Sequence, residues 1–121
     1  MNKIFNIFDK YPNLTIGFST KQNGSMRIRP SGSTAIDAEA KENREKFLTS
    51  LKIDANSVVN PILSHSNNVL TLSGTDKGKT FIDIDAFVTD DSKISLNLTI
   101  ADCLPIFLYD PDKKVIALVH A

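Results

Sequence analysis

Residues 104–121 read LPIFLYDPDKKVIALVHA, and the fold follows from how this stretch is taken. Two apolar runs, Leu104 to Leu108 and Val115 to Val119, flank Asp110-Pro111-Asp112-Lys113. Runs this short, rich in β-branched and aromatic residues and apolar at nearly every position, predict strands covered on both faces. The Asp-Pro-Asp segment between them is a turn signal, with proline at the second position as type I geometry favours, so the pair is expected to be a hairpin. A two-residue loop at Pro111 and Asp112 then sets Cys103 directly across from His120. Opposed residues share a face, with Cβ atoms about 4.5 to 5.5 Å apart. The pairing depends on register, because a loop one residue longer puts the two side chains on opposite faces.

Upstream, further strand-like segments follow one another: Pro61 to Ser64, Val69 to Leu72, Ile82 to Thr89 and Ile94 to Ile100. They begin after the break Asp54-Ala55-Asn56-Ser57. Before it, from about Thr34 to Lys52, Ile36, Ala40, Phe47, Leu48 and Leu51 recur on one helical face. Ser33 or Thr34 can cap this helix, and an acidic first turn with Lys46 and Lys52 at the other end suits its dipole. Leu14 to Ser19 reads as a short strand after the Tyr11-Pro12-Asn13 turn, running into a polar loop that contains Gly24, Pro30 and Gly32. The expected architecture is α+β: one main helix followed by mixed or antiparallel sheet. There is no repeat, no low-complexity segment and no linker.

The 121 residues, 41% of them hydrophobic, suit one domain with little core to spare. Fourteen basic and fourteen acidic side chains give a formal net charge of zero. They are interspersed, so the concentrated positive field that selects nucleic acid or an anionic membrane is missing. Asp9 and Lys10 interrupt any secretory signal, and no apolar run approaches the ~20 residues of a spanning helix. A cytoplasmic location is expected. The sequence stops at Ala121 directly after its most apolar strand, where domains rarely end, which leads to the expectation that residues 1–121 are the N-terminal part of a longer domain.

The single cysteine cannot form an internal disulfide. Cys103 is therefore a packing residue, a metal ligand or a nucleophile. His120 at a strand end is either a hydrogen-bonded surface group or a ligand, and His65, in the polar interruption Leu63-Ser64-His65-Ser66-Asn67-Asn68, is either a solvated turn residue or a ligand. All three fall at strand ends. Two imidazoles and a thiolate form a borderline-soft set that suits zinc, with the fourth tetrahedral position left for water or substrate; copper also accepts these donors. Cys103 with His120 could alternatively act as nucleophile and base in hydrolysis.

Thr99-Ile100-Ala101-Asp102-Cys103-Leu104-Pro105-Ile106, followed by Val115-Ile116-Ala117-Leu118-Val119-His120-Ala121, resembles the signature of the laccase-domain (YfiH-type) family. Ile84-Asp85-Ala86-Phe87-Val88-Thr89-Asp90, Glu42-Asn43-Arg44 and Gly17-Phe18-Ser19-Thr20 resemble further segments of it. The resemblance implies a layered α/β/β/α fold, of which this chain is one part. It implies His65, Cys103 and His120 as metal ligands, and a zinc enzyme that takes a purine nucleoside and phosphate, with phosphorolysis and adenosine deamination both attributed to the family. Older descriptions imply a copper polyphenol oxidase, and another an editor of peptidoglycan precursors. Asp102 and, less directly, Asp85 are candidate proton carriers; Lys21, Arg27 and Arg29 are candidates for holding phosphate. The departures are Leu63-Ser64-His65-Ser66 where the family has Q-V-H-G, Lys21 where it has arginine, Asn23-Gly24 where it has G-G, and the absence of the sequence that follows V-H-A in the family. A non-catalytic fragment or binding domain is the reading opposed to all of these.

Overall fold

A computed structural model describes residues 7–27, 35–63 and 67–121, with the side chains of residues 35–37 excepted. The chain divides into two compact units, Met1–Asp54 and Ala55–Ala121.

The first unit holds the helix α1, Ala35–Ser50. Ala40 is fully buried, and Phe47, Leu48 and Leu51 are half-buried on the apolar stripe. The proposed capping residues Ser33 and Thr34 and the side chain of Ile36 lie outside what is described. The helix ends in a Schellman arrangement. Ile53 N donates to Leu48 O at 2.9 Å and Lys52 N to Thr49 O at 3.0 Å, with Lys52 in the left-handed region at φ 60°. The dipole argument holds less well, because the last turn carries no basic residue. Residues 14–19, expected as a strand, have no ladder partner among the described residues and run there as irregular chain. They stay close to the helix at Gly17, where any Cβ would collide with the Leu51 side chain. A β-prone composition does not make a strand without a partner to complete it.

The second unit contains two sheets. In the first, β1 (Val58–Ile62) lies between β3 (Thr80–Ile82) and β5 (Ser95–Leu96), all parallel. The predicted strand Pro61 to Ser64 thus starts three residues earlier than expected. Pro61 is tolerated because its missing donor faces the β5 side beyond Leu96, while Asn60 N and Ile62 O bond on the other side, to Lys79 O and Asp83 N. The second sheet has the order β2-β4-β7-β6. β2 (Val69–Leu72) pairs parallel with β4 (Ala86–Thr89), which pairs antiparallel with β7 (Val115–His120), and β7 with β6 (Pro105–Asp110). The single run Ile82 to Thr89 is therefore two strands in different sheets. Asp83, at φ 61°, makes the break. Ile94 to Ile100 yields only the short β5.

Val59, Leu72, Phe87 and Ile94 form the core, with Leu70, Phe81, Ile84 and Leu96 packed around them. Phe81 meets Phe87 edge-on, ring centroids 6.2 Å apart. Truncating the fully buried Phe87 to alanine would cost about 3–5 kcal/mol. Strand alternation and register put Leu70, Leu72, Phe87, Leu118 and Phe107 on this core face of the four-stranded sheet, and Val69, Val88, Val119, Ala117, Ile106 and Leu108 on the other. That second face is only partly covered, with Val69 62% and Leu108 54% exposed. Burial of β6 and β7 on both faces, expected from their apolar runs, is not found among the described residues, because an apolar run records a capacity for burial and not the layer that supplies it.

The register of the hairpin also differs from expectation. Pro105 pairs with His120 and Asp110 with Val115, so the loop spans Pro111 to Lys114. A two-residue type I turn would splay the strands against their twist, whereas a longer loop built around that turn relieves it. Asp110 Oδ1 accepts from Asp112 N at 3.0 Å and Lys113 N at 3.2 Å, and Lys114 closes the loop at φ 54°. Cys103 therefore does not face His120. It lies two positions outward from His120's partner.

Candidate metal centre

The strand directions of the four-stranded sheet bring separate parts of the sequence to one end of it. Val69, Ala86, Val119 and Ile106 form one row across β2, β4, β7 and β6. Beyond this row lie the residues that precede β2, β4 and β6 and the last residue of β7. His65 precedes β2 in sequence, Asp85 precedes β4, Cys103 precedes β6 and His120 ends β7. The topology, more than the hairpin register, is what brings Asp85, the segment of Cys103 and His120 to this end.

The backbone at this end is closely tied. His120 N donates to Asp85 O at 2.8 Å, while Leu104 and Ala121 exchange both of their backbone hydrogen bonds, at 3.0 and 2.9 Å. Asp85 N and Ala86 N both donate to Asn68 O, at 3.0 and 3.2 Å, and the Asn68 side chain donates to Asp83 O at 2.8 Å. Asn68 thereby fixes the chain entering β2 to the start of β4. It was not singled out in the sequence, because an asparagine in a polar loop carries no signal for a tertiary anchor.

His120 and Asp85 are both buried, at 8% and 2% exposure, with Nδ1 3.5 Å from a carboxylate oxygen; Nε2 of the ring is buried too. Burying two groups of this kind is unfavourable unless they serve each other. Cys103 is half-buried and Asp102 beside it is exposed. Residues 101–103 bend before β6 begins, so the faces of Asp102 and Cys103 do not follow from strand alternation. His65 lies outside the described residues. Among those described, no three His, Cys, Asp or Glu side chains are grouped closely enough to hold a metal ion.

In the first unit, Lys21 and Arg27 are exposed and Arg29 lies outside the described residues. The loop before Arg27 is tethered to α1. Asn43 Nδ2 donates to Ser25 O at 3.0 Å and Arg44 Nε to Met26 O at 2.6 Å. Burial pushes the Arg44 guanidinium below its ordinary value without threatening its charge. The Glu42-Asn43-Arg44 segment thus acts here through side-chain bonds to the loop.

Residues 15–121 match the profile of a family described as multi-copper polyphenol oxidoreductase laccase. The chain belongs to this laccase family. Purine nucleoside phosphorylase YlmD of Bacillus subtilis is 32% identical over 119 residues, covering 87% of this chain and 42% of that protein. Purine nucleoside phosphorylase SERP0752 of Staphylococcus epidermidis is 30% identical over 94% of this chain and 48% of its own length. Among solved structures, Bacillus licheniformis hypothetical protein YfiH aligns with a TM-score of 0.69 at 21% identity, over 82% of this chain and 43% of that one. YlmD from Geobacillus stearothermophilus aligns at 0.67 and 23%, over 69% and 34%. Among the described residues the fold is α+β, with one α-helix and mixed sheets, as in these two structures, and this chain spans less than half the length of the curated relatives it matches. No helix among the described residues is long and apolar enough to cross a membrane.

Proposed function

We propose that this chain carries the metal-binding sheet end of a zinc-dependent, cytoplasmic enzyme acting on purine nucleosides, with His65, Cys103 and His120 as the protein ligands. The observation that carries the proposal is the convergence of the described residues just before β2 and β6 and of the last residue of β7 at one end of one sheet. The donor set fits the metal: two imidazoles and one thiolate suit zinc and leave a coordination position open. When bound, zinc would bring a water molecule's pKa towards ~7 and so supply hydroxide at neutral pH.

The remaining work falls to the chain's own side chains. Asp102, exposed beside Cys103, can exchange a proton with solvent and pass it to a leaving group. Lys21, Arg27 and Arg29 lie close together in sequence and carry donors suited to inorganic phosphate. In phosphorolysis, a phosphate oxygen forms a bond to the sugar's anomeric carbon as the bond to the purine nitrogen breaks, and the base leaves with a proton. In deamination, water replaces the amino group of adenosine and ammonia departs. The names of the relatives support the first reaction, and the second shares its substrate class.

Elemental analysis of the purified chain beside Cys103→Ala tests the ligand set. The expected result is about one zinc per chain in the wild type and none in the variant, which should still melt cooperatively, at a temperature lowered by the lost metal. Copper in place of zinc would favour the oxidase chemistry that the family description names. A folded wild-type chain that takes up no metal would overturn the ligand assignment.

A further inference from the structure

We infer that Asp85 is a positioning residue that selects the tautomer of His120, holding the proton on Nδ1 so that Nε2 is the nitrogen presented as ligand. The inference rests on the metal reading above and deepens it, moving Asp85 from candidate proton carrier to supporting group.

Three features carry it. The carboxylate and the imidazole are both buried, and at 3.5 Å they are too close for a water molecule to lie between them. Their spacing is set by the ladder and not by flexible side chains: His120 N is bonded to Asp85 O, and Asp85 N to Asn68 O, so both backbones are fixed within one row of the sheet. An ionised carboxylate only accepts hydrogen bonds, and a neutral imidazole offers one donor and one acceptor. With the proton on Nε2, the lone pair of Nδ1 would face a carboxylate oxygen in a buried site, two acceptors opposed. With the proton on Nδ1 the pair is attractive, and the lone pair of Nε2 is turned to the other side of the ring. Metal-bound histidines are commonly oriented by a carboxylate in this way. Burial and this commitment leave Asp85 badly placed to shuttle protons to solvent, a role that exposed Asp102 suits better.

The test uses the whole 121-residue chain, metal-free and labelled with nitrogen-15. Its two histidines are told apart with His65→Ala as reference. Ring nitrogen shifts of His120 should report the Nδ1–H tautomer in the wild type. In Asp85→Asn the amide can donate to Nδ1, so the tautomer should invert, as an aspartate-to-asparagine change does to a catalytic histidine in serine proteases. Zinc affinity, measured by competition with a chelator, should fall about 10- to 100-fold in Asp85→Asn with the melting transition retained. Wild-type protein showing the Nε2–H tautomer would overturn the inference, even if the variant fails to fold. So would a folded Asp85→Asn chain that binds zinc as tightly as wild type. A wild-type chain that binds no zinc defeats the metal reading instead, and the tautomer measurement then decides the Asp85 assignment alone.

Discussion

The two ends of the four-stranded sheet each bury polar side chains, and they do so for different reasons. At the end near the hairpin loop, Thr89 is 1% exposed; its hydroxyl donates to Leu72 O at 2.9 Å and accepts from Asp91 N at 3.1 Å. Asp110, at the same end, caps its own loop through two backbone donors. These partners are backbone groups of the neighbouring strand β2 or of the adjoining turns. At the opposite end, Asp85 and His120, remote from each other in sequence, meet beside the segment that brings Cys103. Polar burial satisfied by local backbone maintains a fold. Polar burial in which ionisable side chains from separate strands face one another has no structural need that a leucine would not meet, and points to chemistry.

The largest effect should come from breaking the functional end alone. His120→Ala is expected to lower zinc affinity by more than about 100-fold, beyond the range for an outer-shell partner. Thr89→Val, nearly the same shape but without the hydroxyl, should leave zinc binding unchanged and cost about 1–3 kcal/mol in stability. Chelator competition and denaturant melts on the two variants read both quantities. If Thr89→Val also lost zinc, the two ends would be coupled and the contrast would fail.

Much of this division was legible in the sequence, and what was missed has physical causes. The strands β2 and β7 and the helix were read nearly to the residue, since apolar periodicity over a closed segment is a strong signal. That Cys103 and His120 fall at strand ends is legible as well, but the register expected to set them face to face does not occur. Asp110-Pro111-Asp112-Lys113 announces a turn, but the loop length depends on whether Asp110 stays in the ladder opposite Val115, and composition does not settle that. The strand expected at Pro61 to Ser64 begins instead at Val58, because Val58 and Val59 find parallel partners in Ser95 and Leu96, and no local pattern announces that pairing. Asn68 and the Asp85–His120 contact are tertiary pairings between residues far apart in sequence. No local pattern announces them.

Smaller effects sharpen the account of the structural end. Asp110→Ala removes two side-chain bonds to the loop backbone and should cost about 0.5–1.5 kcal/mol per net hydrogen bond lost at most, less in practice because the loop is exposed. Zinc affinity should not move. A larger loss accompanied by a change of hairpin register would show that Asp110 dictates the offset of Cys103 from His120, and so links the two ends through the strands between them.

The smallest effect is a gain. Lys114 holds φ 54° at the close of the hairpin loop, in a region that costs an ordinary L-residue roughly 1–2 kcal/mol and glycine almost nothing. Lys114→Gly relieves that strain but gives the unfolded chain more freedom, so the net stabilisation should be at most about 1 kcal/mol. A rise in the melting midpoint without change in zinc affinity would show that the loop's strain is confined to the structural end. A destabilised variant would mean that Lys114 contributes through its side chain, and the left-handed residue would then be a consequence of the register rather than its weak point.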